Sequence, residues 1–334
     1  MTTFIVAELS ANHKQDWEQA VKLIYAAKKA GADAIKLQTY TPDTLTIKCD
    51  SPDFQIKSGT LWDGRTLYDL YGEAYMNWKW HIGLKKIADD IGIELFSTPF
   101  DKTSVDFLES LDVKRYKIAS FEIVDIPLIK YIASKDKPII MSTGMASKTE
   151  IKEAIEACSS NTQITLLKCT SDYPALPEEM NLRTIRYLMD SFMLPVGLSD
   201  HTLSIEVPVL AVALGATVIE KHFTLSRLID TPDKSFSLEP AEFKQMVDKI
   251  RMTEEILGDY GINITEQEIK NKVFRRSLYV VKDIKEGEKF TIENVRSIRP
   301  GYGLSPKYLD EVIGTKAKVN IRKGTPLSWG LISH

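Results

Sequence analysis

The chain has 334 residues, enough for about two domains at roughly 150 residues each, or for one large α/β barrel with an appendage. Hydrophobic residues make up 43% and charged residues 27%, which excludes a mainly disordered chain. Lys and Arg number 43 against 46 Asp and Glu, a formal net charge of -3, so no basic excess exists to neutralise a phosphate backbone and no nucleic acid partner is expected. No apolar run approaches the roughly 20 residues that span a bilayer, and Met1-Thr2-Thr3-Phe4 lacks the charged and apolar regions of a signal peptide. The expected location is the cytoplasm, with no membrane partner. Cys49, Cys158 and Cys169 are odd in number and lack CxxC spacing, so they read as reduced thiols.

From residue 3 to about 257, short runs rich in Val, Ile and Phe alternate with longer segments of helical period, the signature of repeated βα units. Eight runs can be counted: Phe4 to Glu8, Ala34 to Gln38, Glu94 to Thr98, Tyr116 to Ser120, Pro138 to Ser142, Ile164 to Lys168, Val196 to Ser199 and Val218 to His222. Eight closes a (β/α)8 TIM barrel, an α/β fold. Between the second and third runs, Thr41 to Asn77 holds Pro42, Pro52, Gly59, Gly64 and Gly72 and reads as a long βα loop at the C-terminal face, where barrel active sites are built. Its aromatics Trp62, Tyr68, Tyr71 and Tyr75 indicate an ordered loop. After the helical stretch Ala241 to Leu257, short strands and the turns Lys285-Glu286-Gly287-Glu288 and Arg322-Lys323-Gly324-Thr325 mark a small β-rich module. The expected domains are a barrel at 1–262, a linker at 263–274 and the β-rich module at 275–334.

Each barrel run ends in a charged, hydroxyl-bearing or, at Gln38, amide side chain where an apolar one would serve packing. Glu8, Lys36, Gln38, Thr98, Lys117, Ser120, Glu122, Ser142, Thr143, Thr170, Ser199, Asp200, His201, Glu220 and His222 lie within or just after these runs, and a barrel mouth would gather them. Lys36 and Lys117, with the hydroxyls of Thr98, Ser120, Ser142 and Ser199, make a cationic, donor-rich pocket suited to a phosphate and a carboxylate together, hence a small dianion. A strand lysine can equally form a Schiff base with a carbonyl substrate, and the pattern does not separate the two uses.

His201 and His222, two of only five histidines, end adjacent runs, which would bring two imidazoles together. That suits a divalent ion such as Mn, Fe, Co or Zn, with water or substrate oxygen completing the shell. His13 is expected to orient backbone by hydrogen bonding. Glu8, Glu122 and Asp233 are candidate acid/base groups or sugar-hydroxyl ligands.

The motifs Ala7-Glu8-Leu9-Ser10-Ala11-Asn12-His13, Gly31 to Thr39, Ser97-Thr98-Pro99-Phe100, Tyr116 to Ser120, Ser142-Thr143-Gly144-Met145, Gly197 to Thr202 and Glu220-Lys221-His222-Phe223 together closely resemble the sialic acid synthase family across nearly the whole chain. Ser297-Ile298-Arg299-Pro300-Gly301-Tyr302-Gly303 is similar to that family's antifreeze-like (SAF) C-terminal domain. The stretches Thr60 to Tyr71 and Gln38 to Asp43 look most like the pseudaminic acid synthases within it.

The resemblance implies a transferase that condenses phosphoenolpyruvate with 2,4-diacetamido-2,4,6-trideoxy-L-altrose and water, giving pseudaminic acid and phosphate for flagellar or cell-surface glycosylation. It implies that His201 and His222 bind a divalent metal (Mn2+, Mg2+ or Co2+), that Lys36, Thr98, Lys117, Ser120, Ser142 and Ser199 hold phosphoenolpyruvate, and that water, either metal-bound or activated by Glu8, adds to the intermediate. Gln38, Glu122, Tyr173 and Asp233 match positions around the sugar. Arg299 matches an arginine that the C-terminal domain carries into the partner subunit's site, which implies a domain-swapped homodimer. Two departures stand out: Ser171 replaces the family's Asn before Tyr173, and Asn12-His13-Lys14-Gln15 replaces Asn-His-Asn-Gly. Alternatives are an N-acetylneuraminate or legionaminic acid synthase, a Schiff-base aldolase using Lys36 or Lys117, and a sugar-acid sensor without turnover.

Overall fold

The protein is described here by a computed structural model covering residues 2–57 and 59–333. Eight parallel strands close into one barrel: β1 Phe4–Glu8, β2 Ala34–Thr39, β3 Glu94–Pro99, β4 Tyr116–Ile118, β5 Ile139–Ser142, β6 Ile164–Cys169, β7 Val196–Asp200 and β8 Val218–His222. Each pairs with its neighbour in sequence, and β8 pairs with β1 so that Val6 faces Glu220 and Glu8 faces His222. The TIM barrel read from the eight runs is therefore the fold observed. Tyr116 to Ser120 is the run most shortened, because β4 ends at Ile118 and Ser120 opens a 3-10 turn, Ser120–Glu122.

Alternation along each strand decides what the barrel holds, since successive side chains point to opposite faces. One set faces outward: Ile5, Ile35, Leu95, Ile139, Leu166 and Ile219 share a large apolar core with the surrounding helices. The other set faces inward, where Val6, Ala34, Phe96, Ile140, Leu167 and Val218 form a separate apolar plug. Two residues further along the same strands come Glu8, Lys36, Thr98, Ser142 and Glu220, so the inward face turns polar above the plug. At Gly197 on β7 a Cβ would strike the Val218 carbonyl and the Leu167 side chain, which is why the plug closes only around a glycine there.

The helices hold this barrel from outside. Trp17–Lys29 begins where the Asp16 carboxylate accepts from the Gln19 amide, and buries Ala20, Leu23, Ile24 and Ala27 at the three- and four-residue spacing of one helical face. Burying Leu23 and Ile24 contributes about 2 kcal/mol each. The segment after β2 is ordered, as its aromatics suggested: it carries the helices Pro42–Leu45 and Leu67–Ala74 and an antiparallel bridge from Gln55 to Thr66. Trp78 ties the next helix, Trp78–Asp90, to β2 by donating its indole N–H to the Tyr40 carbonyl at 3.0 Å and stacking on Phe107.

The chain divides into two compact units, residues 1–258 and 259–334. The second holds two antiparallel pairs, β9 Ser277–Val280 with β10 Val295–Ile298, and β11 Lys316–Ala317 with β12 Ile332–Ser333, around Leu278, Val280, Phe290, Val295, Ala317 and Ile332. The stretch read as a linker contains the short helix Glu266–Asn271, capped by Thr265. Among the described residues no helix is long and apolar enough to cross a membrane.

His81 in the Trp78–Asp90 helix is fully buried, and its Nε2 meets Thr39 Oγ1 at 2.9 Å, which in turn bonds Ser97 Oγ at 2.7 Å. Burial pushes its pKa down from 6.5 to about 4. The folded state thus favours the neutral form, and the stability this confers is complete above pH 6.5 and lost as pH falls towards 4, a contribution of about 3 kcal/mol. Urea unfolding from pH 7 to pH 4 should show a shallower loss of stability in His81→Gln than in the parent chain; equal slopes would show that His81 does not titrate this way.

Candidate active site

Lys36 and Lys117 rise from β2 and β4 into the barrel with almost no solvent contact, and every polar group near them answers their charge. Lys36 Nζ lies 2.7 Å from Glu8 Oε2 and 3.5 Å from Glu220 Oε1. Lys117 Nζ lies 3.3 Å from the same Glu220 oxygen and donates to Ser142 Oγ at 2.7 Å. Ser199 Oγ donates to Glu220 Oε1 at 3.1 Å, and Lys36 reaches Thr98 Oγ1 at 3.4 Å. The four charged groups sit on four different strands.

Their protonation follows from burial set against neighbours. Burial opposes charge on Glu220, but Lys117 and Lys36 outweigh it and hold that carboxyl below its ordinary range. Glu8 goes the other way: burial dominates the opposing Lys36 charge and raises its pKa to about 7. Burial also lowers Lys117, whereas at Lys36 the two glutamates overcome burial and raise it. With Glu220 ionised and Glu8 only about half ionised near pH 7, two ammonium groups face less than two full carboxylate charges. The centre is then cationic and suited to an anion.

Beside it stand the two histidines. His201 follows β7 and donates Nδ1–H to the Thr170 carbonyl at 2.8 Å, which leaves the Nε2 lone pair free. His222 ends β8, its ring centroid 5.4 Å from that of His201, and its Nδ1 is buried with no hydrogen-bond partner among the described residues; Asp233 Oδ2 is 3.8 Å away. Burial keeps both neutral, lowering His201 to about 4 and His222 well below its usual value. Two neutral imidazoles, one with an orphaned buried nitrogen, fit the donor set of a divalent cation whose remaining positions are water or substrate. Among the described residues no group of three or more His, Cys, Asp and Glu forms such a site, so the protein's contribution would be these two.

Above lies a cavity of about 690 Å³. Of the residues expected from sequence, Gln38, Glu122, Ser171, Tyr173, His222 and Asp233 line it. Glu8, Lys36, Thr98, Lys117, Ser142, Ser199 and His201 are buried in the same barrel and are not part of the lining. Ser120 Oγ accepts from the Gly144 amide at 3.2 Å, and a Cβ at Gly144 would overlap Ser171 Oγ and Ser120 Oγ, so both hydroxyls close on bare backbone. Burial raises Glu122 to about 7, and its Oε2 has no hydrogen-bond partner among the described residues. Burial likewise raises Asp233, whose Oδ2 accepts from the Ala11 amide at 3.2 Å. Arg299 belongs to the second unit, just after β10.

Several functional candidates had no role in the sequence reading. Glu220 counted there only as a polar strand end, yet it meets both lysines; its position two residues before His222 on one strand was the available signal. Tyr40, Trp62, Phe100, Phe121 and Phe236 form an aromatic wall to the cavity that no spacing announced. Lys221 and Asp200, within strong motifs, pair with each other at 2.5 Å outside this centre, and Lys221 also bonds the Thr202 carbonyl.

The departure at Lys14-Gln15 has a structural counterpart. Both residues adopt positive φ, 51° and 49°, a conformation that favours Gly or Asn. His13 Nδ1 accepts from the Gln15 amide at 2.9 Å, so His13 orients backbone as expected. The Gln15 side chain then donates to the carbonyls of Gly72 at 2.9 Å and Tyr75 at 3.2 Å, tethering the segment that walls the cavity. Gln15→Ala should leave thermal unfolding nearly unchanged but speed limited proteolysis of residues 41–77 about fivefold, which is what ~1 kcal/mol of lost hydrogen bonding allows. An unchanged cleavage rate would remove the tether.

Comparison with known proteins places this geometry. The NeuB family model matches residues 23–261, most of the barrel, and the SAF domain model matches residues 275–333. The chain belongs to the NeuB family. Among its relatives, the pseudaminic acid synthase of Campylobacter jejuni subsp. jejuni serotype O:2 is 50% identical over 98% of this chain and 96% of its own. The N,N'-diacetyllegionaminic acid synthase of Legionella pneumophila is 40% identical over 98% of this chain and 94% of its own. A crystal structure of the N-acetylneuraminic acid synthetase of Leptospira borgpetersenii with citrate has a TM-score of 0.73 at 32% identity, covering 81% of this chain and 90% of that one. The second unit of this NeuB-family chain is thus an SAF domain.

Proposed function

We propose that the protein is a pseudaminic acid synthase, condensing phosphoenolpyruvate with 2,4-diacetamido-2,4,6-trideoxy-L-altrose and water to give pseudaminic acid and phosphate. The observation that carries the chemistry is the cationic centre of Lys36 and Lys117 set beside His201 and His222 in one barrel mouth. The choice of sugar is supported by the greater identity to the pseudaminic than to the legionaminic relative.

In this reading Lys36, Thr98, Lys117, Ser120, Ser142 and Ser199 hold the phosphate and carboxylate of phosphoenolpyruvate, exchanging their present partners for the dianion. Gln38, Glu122, Ser171, Tyr173 and Asp233 hold the open-chain sugar in the cavity above, which brings its C1 to the enol C3. His201 and His222 would bind a divalent ion such as Mn2+, Mg2+ or Co2+, which when bound supplies Lewis-acid polarisation of the sugar aldehyde oxygen. The enol π electrons form the carbon–carbon bond, leaving a cationic C2 and an alkoxide at the former aldehyde oxygen. Ionised Glu8 takes a proton from the water that adds to C2 and returns it to that alkoxide, and the C2 hydroxyl then loses its proton as C2=O forms and phosphate leaves by cleavage of the C2–O bond. The lysines act by charge and form no covalent bond. The reading also includes a homodimer in which Arg299 of the SAF domain enters the neighbouring site; a monomeric mass in solution would remove that part.

Phosphate release should occur with phosphoenolpyruvate and the altrose-configured sugar, fail with mannose-configured amino sugars, stop with EDTA and return with Mn2+. His222→Ala, folded by circular dichroism, should lose about 100-fold or more in kcat/KM. Release with a mannose-configured sugar alone would make the protein a sister synthase, and full activity in His222→Ala would remove the metal role.

A further inference from the structure

Trp62 stands in the cavity wall with no part in the chemistry above. It lies on a turn that local bonds define: the Asp63 carboxylate accepts from the amides of Gly59 at 3.0 Å and Thr60 at 2.8 Å, and the Gly64 amide donates to the Ile56 carbonyl at 3.0 Å. Its ring is 5.9 Å from Tyr173 and 6.4 Å from Phe236, against which it stands perpendicular. Those two rings pack in turn on the histidines, Tyr173 on His201 at 4.2 Å and Phe236 on His222 at 4.8 Å. The indole is therefore placed on the same aromatic cluster as the reaction centre.

Its Nε1–H is the unusual group. It is shut off from solvent and has no acceptor among the described residues. An indole nitrogen can only donate, and buried Trp N–H groups nearly always find a partner. An occupant of the cavity must then bring an oxygen acceptor, and the apolar rings around it require that the acceptor sit next to apolar carbon. Most sugar hydroxyls offer the oxygen without the apolar neighbour; the C5 hydroxyl beside the C6 methyl of a 6-deoxy sugar is the exception, and a contact there would give the same loss with analogues lacking either acetamido group. An acetamido group offers both, a carbonyl oxygen with a methyl beside it. The same cavity holds Glu122 Oε2, a buried acceptor equally without a partner, so the wall presents one spare donor and one spare acceptor. Those are the two halves of amide recognition.

We propose that Trp62 is a specificity-determining residue that donates its indole N–H to the carbonyl oxygen of one of the sugar's two acetamido groups, whose methyl packs against Tyr173 and Phe236. This deepens the synthase reading above and rests on it.

The test is steady-state kinetics of Trp62→Phe, which keeps an aromatic ring and removes the donor. With the diacetamido sugar, kcat/KM should fall about 10-fold through a raised sugar KM, while the KM for phosphoenolpyruvate stays within about twofold. Two analogues, each with one acetamido group replaced by hydroxyl, then locate the contact. With the analogue lacking the contacted group, parent and variant should have equal kcat/KM. An unchanged sugar KM in Trp62→Phe, or the same loss with both analogues, overturns the proposal. If Trp62→Phe fails to fold, replacing Trp62 by its benzothiophene isostere, which keeps the shape and lacks the N–H, must give the same 10-fold loss. No turnover of the diacetamido sugar by the parent chain would instead defeat the synthase reading, and this inference with it.

Discussion

Two lysine side chains inside a barrel are the constraint on which the rest of this structure depends. Lys36 and Lys117 are 3% and 2% exposed, and an unpaired ammonium in such a place would cost several kcal/mol. Glu220, within 3.5 Å of both, offsets most of that cost, and Glu8 shares Lys36. None of these four groups can be removed singly without leaving its partners uncompensated. The arrangement makes little sense as a stability device, since apolar residues of similar size would fill the space at lower cost. It makes sense as a preformed site whose donors are held ready for an anion.

The barrel makes that site possible by stacking two layers of different character. Val6, Ala34, Phe96, Ile140, Leu167 and Val218 seal the interior below, so the charges above face a low-dielectric floor and act strongly on one another. Closure of β8 onto β1 sets Glu8 opposite His222, which places the anion centre and the imidazole pair side by side. The aromatic wall built on the segment after β2 then confines what lies above them. Charge, imidazole and apolar wall thus meet at one end of the barrel although they come from distant parts of the chain.

Much of this was legible in the residues. Period-two alternation is local, so a run such as Ala34-Ile35-Lys36-Leu37-Gln38 shows both that it is a strand and that Lys36 and Gln38 share a face. Repeated eight times, that logic yields the barrel and collects Lys117, Ser142, Ser199, His201 and His222 at one end. Glu220 was legible by the same rule through His222, but its meaning was not, because only strand register brings it to both lysines at once. Trp62 and Phe236 were not legible as a wall, since turns without periodicity carry no statement about what they face. At Lys14-Gln15 the sequence showed a departure, and only the backbone showed left-handed residues held in place by contacts to Gly72 and Tyr75.

What the sequence by itself determined is therefore the fold class, the strand faces and the stock of polar groups at the barrel mouth, because each follows from spacing between near neighbours. What only the tertiary structure decided is which charges share a proton, which ring nitrogen and which indole N–H are left without partners, and which aromatics enclose the cavity. Those depend on groups about 20 to 225 residues apart meeting within a few ångströms, as Asn12 and Ser237 do at 2.8 Å. Distance of that kind is set by barrel closure and loop packing, and no local pattern encodes it.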